Sequence, residues 1–529
     1  MKLNIIYGRS GTGKSKYIYE SINKCLGNNK IFLIVPEQCN LSAENRLFEV
    51  LNKDSLINVE VLTLSRMAYR VSNEIGDTRN HLSKAGKDML IFDLLSKEKG
   101  NLNFLGKSEK NIDIVNRMFT EFKKHGIQVQ DLKDVQVSDN YTKLKLNDIS
   151  MLYEKYEARL ESNFIDENDT LTMLVKNLSQ TEMFKNSIIY IDEFLGFTPQ
   201  EYSIFEELCA QCLEINVGIA TDNLDSNTNK EKDIFYFNKK YANKLIKIAK
   251  QNKCEINEIK LEETYRFKND ELKVLEQSLS YGNKKYTEDI SGIKLFLANN
   301  PYTELEYVAQ NIHNLVKNCG YNYNDIGIIA EEIEKYSEDA KAVCNKYEIP
   351  LFIDEKKELN QNILIKFILA MIDIYAKNWS FDSVFNYLKI GLLDIPNEDI
   401  YLLENYCRKW GIKGNKFYNK EFSYEQINDN QEKLENLRKK IVKPLIDFKN
   451  EVSANRTVTQ ISKQIYSFLI ENKINEILDK KIKDYNSIEV SDEYNTSYKL
   501  LIKILEDLCL VFKDEKVTFE KYKDLLEVG

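Results

Sequence analysis

Residues 8–15 read Gly8-Arg9-Ser10-Gly11-Thr12-Gly13-Lys14-Ser15, a complete G-x-x-x-x-G-K-S run. No other feature constrains the fold as strongly, because this motif works only between a strand and a helix. Both flanks comply. Leu3-Asn4-Ile5-Ile6-Tyr7 reads as a short buried strand, and within residues 16–26 Ile18, Ile22, Cys25 and Leu26 share one helical face. In that setting the glycines let successive backbone N–H groups curl around a phosphate, and the helix N-terminus adds partial positive charge. Lys14 is expected to reach the β- and γ-phosphates of a nucleotide, and Ser15 to hold Mg²⁺. The bland alternative is a turn before an ordinary helix.

A chain of 529 residues suffices for roughly three domains. Hydrophobic residues at 43% and charged residues at 30% describe a globular protein, and no apolar run approaches the ~20 residues of a membrane span. Six prolines and nineteen glycines are few for this length, which points to long helices. The balance of 74 basic and 83 acidic residues leaves a net charge of −9, so bulk electrostatics do not make this a stand-alone nucleic-acid binder. A local basic groove or a partner could still supply such binding. Of the nine cysteines, only Cys209 and Cys212 fall at C-x-x-C spacing. They lie in a helical pattern and read as core thiols rather than a redox or metal pair, since no second Cys or His pair completes a site. A reduced, cytoplasmic setting without a signal peptide is expected. His81, His125 and His313 are far apart in sequence, which disfavours a His-dependent nucleophilic triad.

Strand-like runs follow the loop at βαβ intervals. Residues 31–35 end in Pro36-Glu37-Gln38, and residues 59–64 lead into Thr63-Leu64-Ser65-Arg66. Alternating strand and helix predicts an α/β fold with a parallel sheet. Helical periodicity takes over in residues 88–95, 112–122 and 146–160. The strand signal returns at Ile188-Ile189-Tyr190-Ile191 and runs into Asp192-Glu193. One carboxylate at such a strand end can hold the Mg²⁺ hydration shell, and the next can orient a water towards the γ-phosphate. Solvated strand-end acids are the alternative.

Residues 214–220 give a further strand, and residues 261–267 open another helix. A second α/β segment is expected from strands at 293–297, 326–330 and 349–354, with helices at 303–316 and 333–346 between them. From residue 360 the pattern is helical, and charge runs such as Arg438-Lys439-Lys440 read as solvated helix faces. The expected organisation is a discontinuous first P-loop domain at 1–65 and 180–290, with a helical insertion at 66–179. The start of a second such domain follows at 291–358, and a helical insertion domain at 359–529.

In order, these motifs resemble the core of superfamily 1 helicases, which implies RecA-like P-loop domains with large all-helical insertions. The phosphate loop is similar to motif I. Asp192-Glu193-Phe194 followed by Thr198-Pro199-Gln200 resembles motif II and its downstream "TPQ". Asn163-Phe164-Ile165-Asp166-Glu167-Asn168-Asp169-Thr170-Leu171 resembles the segment that precedes motif II. Thr264-Tyr265-Arg266 is similar to the "NYR" of motif IV, whose Arg approaches the γ-phosphate; this implies a site role for Arg266.

The nearer resemblance is to the AddB family, the B subunits of bacterial AddAB (RexAB-like) helicase–nucleases. It rests on "NIIYGRSGTGKS" with "VPEQ" after it, on "IPLFIDEKKEL" at 349–359, and on "FNYLKIG" at 385–391 running into "LENYCRKWGIKG" at 403–414. The resemblance implies a helicase-like portion that binds ATP and Mg²⁺, works with an AddA-type subunit on double-strand DNA ends, guides a single strand and contributes to recognition of the Chi sequence. It places DNA contact near Gln38, Ser65 and Arg66. A 4Fe–4S cluster belongs to the full-length family, but its ligands have no counterpart here. There are departures. Leu195-Gly196 stands where a motor usually has Gln-Asp, residues 217–223 lack the "GD–Q" pattern of motif III, and nothing resembles motifs V and VI or the nuclease carboxylates. The second motor domain is therefore expected to be incomplete, and the lone chain to show little or no unwinding and no nuclease activity. An autonomous superfamily 1 ATPase or helicase, a scaffold with a vestigial ATP site and, less well supported, a small-molecule P-loop kinase remain the alternatives.

Overall fold

The first strand has no polar face. Leu3, Ile5 and Ile6 are fully buried, so both sides of the sheet must be covered. That is the signature of a parallel α/β sheet rather than a half-solvated one. The computed structural model describes residues 1–529 except 28, 53–57, 77–78, 104, 106–110, 162–163, 167–168, 226, 228, 231–232, 282–284, 356–361, 423–429, 453–455 and 486–487. Asn163, Glu167 and Asn168 of the segment before the Asp-Glu strand, and residues 356–359 of "IPLFIDEKKEL", lie outside the described residues.

Six strands form the main sheet: β1 (Lys2–Gly8), β2 (Ile31–Ile34), β3 (Val59–Leu62), β6 (Ile188–Ile191), β7 (Glu214–Ala220) and β8 (Glu255–Lys260). Their order is β3-β2-β6-β7-β1-β8, and every pairing is parallel. A second, two-stranded parallel sheet joins β4 (Asn80–Leu82) and β5 (Phe164–Asp166). The fold is α/β, with long helical stretches inserted around the sheet.

Alternation along the strands divides the core in two. Leu3, Ile5, Phe32, Ile34, Ile189 and Ile191 face one layer, beneath helices Leu64–Ile75, Asp169–Leu178, Pro199–Gln211 and Tyr236–Gln251. Ile6, Ile31, Leu33, Ile188 and Tyr190 face the other, beneath helices Lys14–Lys24 and Asn40–Leu51. Each fully buried Ile or Leu contributes about 1.5–3 kcal/mol.

A polar device pins the register. Asn4 pairs in register with Asn216 on β7 and with Asn257 on β8. Its Nδ2 donates to Asn216 Oδ1 and Glu214 Oε1, each at 2.7 Å, and its Oδ1 accepts from Asn257 Nδ2 at 3.1 Å. A one-residue slip would leave this buried amide unpaired and turn every apolar side chain of the strand to the wrong layer. The ladder thereby sets Gly8 opposite Ala220 at the C-terminal edge, where the phosphate loop begins.

The helical insertion and the C-terminal helices pack together. Helix Lys84–Glu98 is buried from Gly86 to Leu95, as a helix must be when other helices surround it. Ser83 caps it by accepting from Gly86 N and donates its own hydroxyl to Asp507 on helix Ile488–Phe512. Asp93, with no exposure, is held by Lys97 at 2.7 Å, Lys521 at 3.1 Å and Arg159 at 3.4 Å.

Residues 1–266 with 360–529 form one compact unit, and residues 267–359 another. In the second, helices Pro301–Cys319 and Ser337–Lys346 pack around Leu305, Ile312 and Val343. Here the structure corrects the sequence reading. Residues 293–297, 326–330 and 349–354 carry no strand pairing among the described residues. Leu295 and Ile329 are 99% exposed and Phe352 89%. A β-rich sequence becomes a strand only where a neighbour pairs with its N–H and C=O groups, and among the described residues none does so here. Nor do residues 261–267 open a helix; that segment crosses the phosphate loop, and the next helix is Asp270–Tyr281. Among the described residues, no helix is long and apolar enough to cross a membrane.

Candidate functional site

The loop at residues 8–15 is held by its glycines. A Cβ at Gly8 would stand 2.5 Å from both Leu261 O and Thr12 Oγ1, so only glycine fits. Gly11 and Gly13 have φ of +79° and +81°, the left-handed region that side chains disfavour. Thr12 Oγ1 closes the loop by donating to Arg9 O at 3.0 Å. Lys14 Nζ sits in the hollow of the loop and donates to Gly8 O at 3.0 Å and Arg9 O at 2.9 Å. Helix Lys14–Lys24 has Gly13 as its N-cap and no side-chain cap. Its first-turn N–H groups and an ammonium therefore converge on one point, which can hold a phosphate.

Asp192 lies beside this loop. It is only 3% exposed, and burial raises its pKa, while a hydrogen bond from the Ser15 hydroxyl acts in the opposite direction. Its Oδ2 is buried without a hydrogen-bond partner. A carboxylate oxygen left this way, next to a serine hydroxyl, is a donor set that suits a hard, hydrated divalent cation such as Mg²⁺. β7 makes room for it with Gly218, where a Cβ would meet Asp192 Oδ1 at 2.7 Å.

Residues 261–266 lie across the other side of the loop. Tyr265 N donates to Gly11 O at 2.9 Å, and the Tyr265 ring lies against Gly13. Arg266 Nη1 donates to Ser10 Oγ at 3.1 Å, which brings the guanidinium onto the loop. A cavity of about 330 Å³ opens between Gly13, Tyr17, Leu261 and Tyr265. Arg9 stacks over the Phe235 ring at 5.1 Å. After β7, Asp222 pairs with Lys239 at 2.8 Å, and the fully buried Lys239 also bonds Asp233 at 2.7 Å.

Glu193, next in chain to Asp192, engages elsewhere. Its Oε1 is 2.8 Å from Arg46 Nη1 on helix Asn40–Leu51. The Cys39 thiol bonds the same carboxylate, and burial with this contact pushes Cys39 up to about 11. Gln38 is exposed in the short turn Glu37–Cys39 that follows β2. Ser65 N donates to Glu37 Oε1 at 3.2 Å. Arg66 donates to Asn40 Oδ1 at 3.2 Å and pairs with Glu44 at 2.8 Å. Gln38, Ser65 and Arg66 thus share the C-terminal edge of β2 and β3, where open parallel sheets bind ligands.

The sequence reading missed Arg46 and Cys39 at Glu193, and Gly218 at Asp192. An arginine in an exposed helical position carries no signal that it meets a carboxylate 147 residues away. Cys209 and Cys212 are buried, and burial pushes Cys212 up to about 12. Among the described residues no group of three or more His, Cys, Asp or Glu side chains could hold a metal ion.

A family model described as "ADDB, N-terminal" matches residues 5–276, about half of the chain. The chain is 33% identical to the B subunit of the ATP-dependent helicase/deoxyribonuclease of Clostridium botulinum (strain Loch Maree / Type A3), over all of its own length and 49% of that relative. It is 34% identical to the protein of the same name from Clostridium tetani (strain Massachusetts / E88), again over all of this chain and 49% of the relative. The Clostridium acetobutylicum counterpart is 31% identical over all of this chain and 48% of that protein. The chain spans about half the length of the curated relatives it matches. With the phosphate loop, the parallel sheet and the Asp-Glu strand end in their places, the chain belongs to the AddB family.

Proposed function

We propose that this chain is the helicase-like part of a B-type component in a heterodimeric ATP-dependent helicase–nuclease. The complex would process double-strand DNA ends for recombinational repair in the cytoplasm, with an AddA-type subunit as the main motor. Residues 8–15 bind ATP, Ser15 and Asp192 hold Mg²⁺, and Arg266 approaches the γ-phosphate. The observation that carries this reading is the buried Asp192 beside Ser15, its Oδ2 without a protein partner, at the mouth of an uncapped helix. When bound, Mg²⁺ neutralises charge on the β- and γ-phosphates. Gln38, Ser65 and Arg66 line the edge that guides a DNA strand and takes part in reading Chi. The names of the clostridial relatives support the helicase and nuclease assignments and membership of a larger complex.

A net charge of −9 opposes long-range attraction of DNA, so strand binding is local and depends on the partner. Gel-shift titrations with and without an AddA-type subunit test this. The pair should bind single-stranded DNA far more tightly than the lone chain, and the lone chain should neither unwind nor cut DNA. Equal, salt-sensitive binding by the lone chain, or robust strand separation by it, would overturn the reading in favour of an autonomous helicase. One observation favours a scaffold with a vestigial site: Glu193, the residue suited to orient the attacking water, is already paired with Arg46. ATP binding with no turnover in the assembled pair would support that alternative.

A further inference from the structure

Asp192 and Glu193 are consecutive, yet their carboxylates meet different partners. β6 stands between β2 and β7 in the strand order. Asp192 packs on the β7 side, against Gly218, and bonds Ser15 of the phosphate loop. Glu193 has φ of +65°, the left-handed region that non-glycine residues seldom occupy. Both of these side-chain partners of Glu193 belong to the segment after β2: Arg46 Nη1 lies 2.8 Å from Oε1, and the Cys39 thiol bonds the carboxylate.

That same segment carries the sheet edge. Cys39 lies between Gln38 and Asn40, and Asn40 and Glu44 together hold Arg66. One short helix, Asn40–Leu51, therefore holds Arg66 through Glu44 and Glu193 through Arg46. The Arg46 and Glu193 side chains are 52% and 25% exposed, so the pair is weak enough to be displaced.

We propose that Arg46 is a positioning residue that keeps the Glu193 carboxylate on the β2 side, and that a phosphodiester strand at Gln38 and Arg66 loosens this hold. The inference rests on the nucleotide-site and strand-edge reading above and adds the regulation of that site. A phosphate competes with Glu44 for the Arg66 guanidinium, whose planar fork suits phosphate as well as carboxylate. The helix Asn40–Leu51 stays seated on the core through Ala43 and Leu47, and the half-exposed Arg46 side chain on it is drawn from Glu193 to the strand's phosphates in the same way. The strand thus favours the released state through its own differential contacts. Released Glu193 orients a water on the γ-phosphorus. A bond forms from the water oxygen to that phosphorus, the bond to the β–γ bridging oxygen breaks, and the water proton passes to the carboxylate.

The test uses the full chain with its AddA-type partner, the partner carrying a disabled phosphate loop. ATP binding is measured by calorimetry, and ATP turnover with and without single-stranded DNA. Arg46→Met should raise DNA-independent turnover about tenfold or more. It should make DNA nearly without effect on turnover and leave ATP affinity within about twofold, so that kcat and not KM changes. Arg46→Lys, which keeps charge but not the fork, should fall between. Adding Glu193→Gln to Arg46→Met should abolish the gain, which a merely structural role of Arg46 would not require. Unchanged unfolding midpoints show that the variants fold; if Arg46→Met does not fold, Arg46→Lys carries the test. ATP binding without any rise in turnover in the folded variants overturns the proposal. Absence of ATP binding by the wild type overturns the underlying nucleotide reading, and the proposal falls with it.

Discussion

Gly218 of β7 leaves bare the space that Asp192 occupies: a Cβ there would stand 2.7 Å from Asp192 Oδ1 and 3.1 Å from Ile18 Cδ1. The neighbour that must give way is the end of a buried carboxylate. Gly218→Ala should cost about 1–3 kcal/mol of stability through overpacking. It should also turn Asp192 away from Ser15 and so weaken the Mg²⁺ dependence of ATP binding. Titrating ATP at low and high Mg²⁺ reads the effect. An alanine variant with wild-type Mg²⁺ dependence would show that Asp192 does not hold the cation.

The helical body has its own pH signature. Burial raises the Asp507 pKa, while the Ser83 hydrogen bond and the charge of Lys503 lower it. An acid whose folded pKa lies above its unfolded one binds more protons folded than unfolded. Stability therefore falls as pH rises from the ordinary Asp value towards the raised one. Asp507→Asn keeps an acceptor for Ser83 and removes the charge. The variant should flatten this fall and raise the unfolding midpoint at neutral pH, with little change below the ordinary carboxylate range. A midpoint lowered at about pH 7 but unchanged at about pH 4 would mean that the charge itself contributes stability.

Much of this was legible in the residues, for physical reasons that differ by element. The phosphate loop announces itself because its glycines and Lys14 serve local geometry. β2 and β6 are apolar on both faces, as a buried parallel strand must be. β8 is an edge strand whose Glu255-Ile256-Asn257-Glu258-Ile259-Lys260 is half polar, so no apolar run marks it as part of the sheet. Residues 293–297, 326–330 and 349–354 show the converse: strand-type sequences that lack a partner to pair with among the described residues. The Asn4 amide ladder and the Arg46–Glu193 pair join residues more than a hundred positions apart, and local patterns cannot report such meetings.

Arg66 decides whether the β2–β3 edge meets DNA or only its own acids. Its pairing with Glu44 holds a half-exposed guanidinium ready at that edge. With an AddA-type partner present, Arg66→Ala should weaken single-stranded DNA binding and lower the salt slope by about one. Unchanged affinity and slope would leave Arg66 as a structural ion pair and remove this edge from the strand path.

Residues 8–15 stand or fall as a nucleotide site on the charge of Lys14. Its ammonium bonds the Gly8 and Arg9 carbonyls at 3.0 Å and 2.9 Å at the edge of the sheet and fills no part of the apolar core, so its removal should spare the fold. Calorimetry of Mg²⁺–ATP binding to the wild type and to Lys14→Ala is the most direct measurement. The expected result is measurable affinity in the wild type, a loss on the order of a hundredfold or more in the variant, and an unchanged unfolding midpoint. Equal affinity in the two proteins would contradict the assignment.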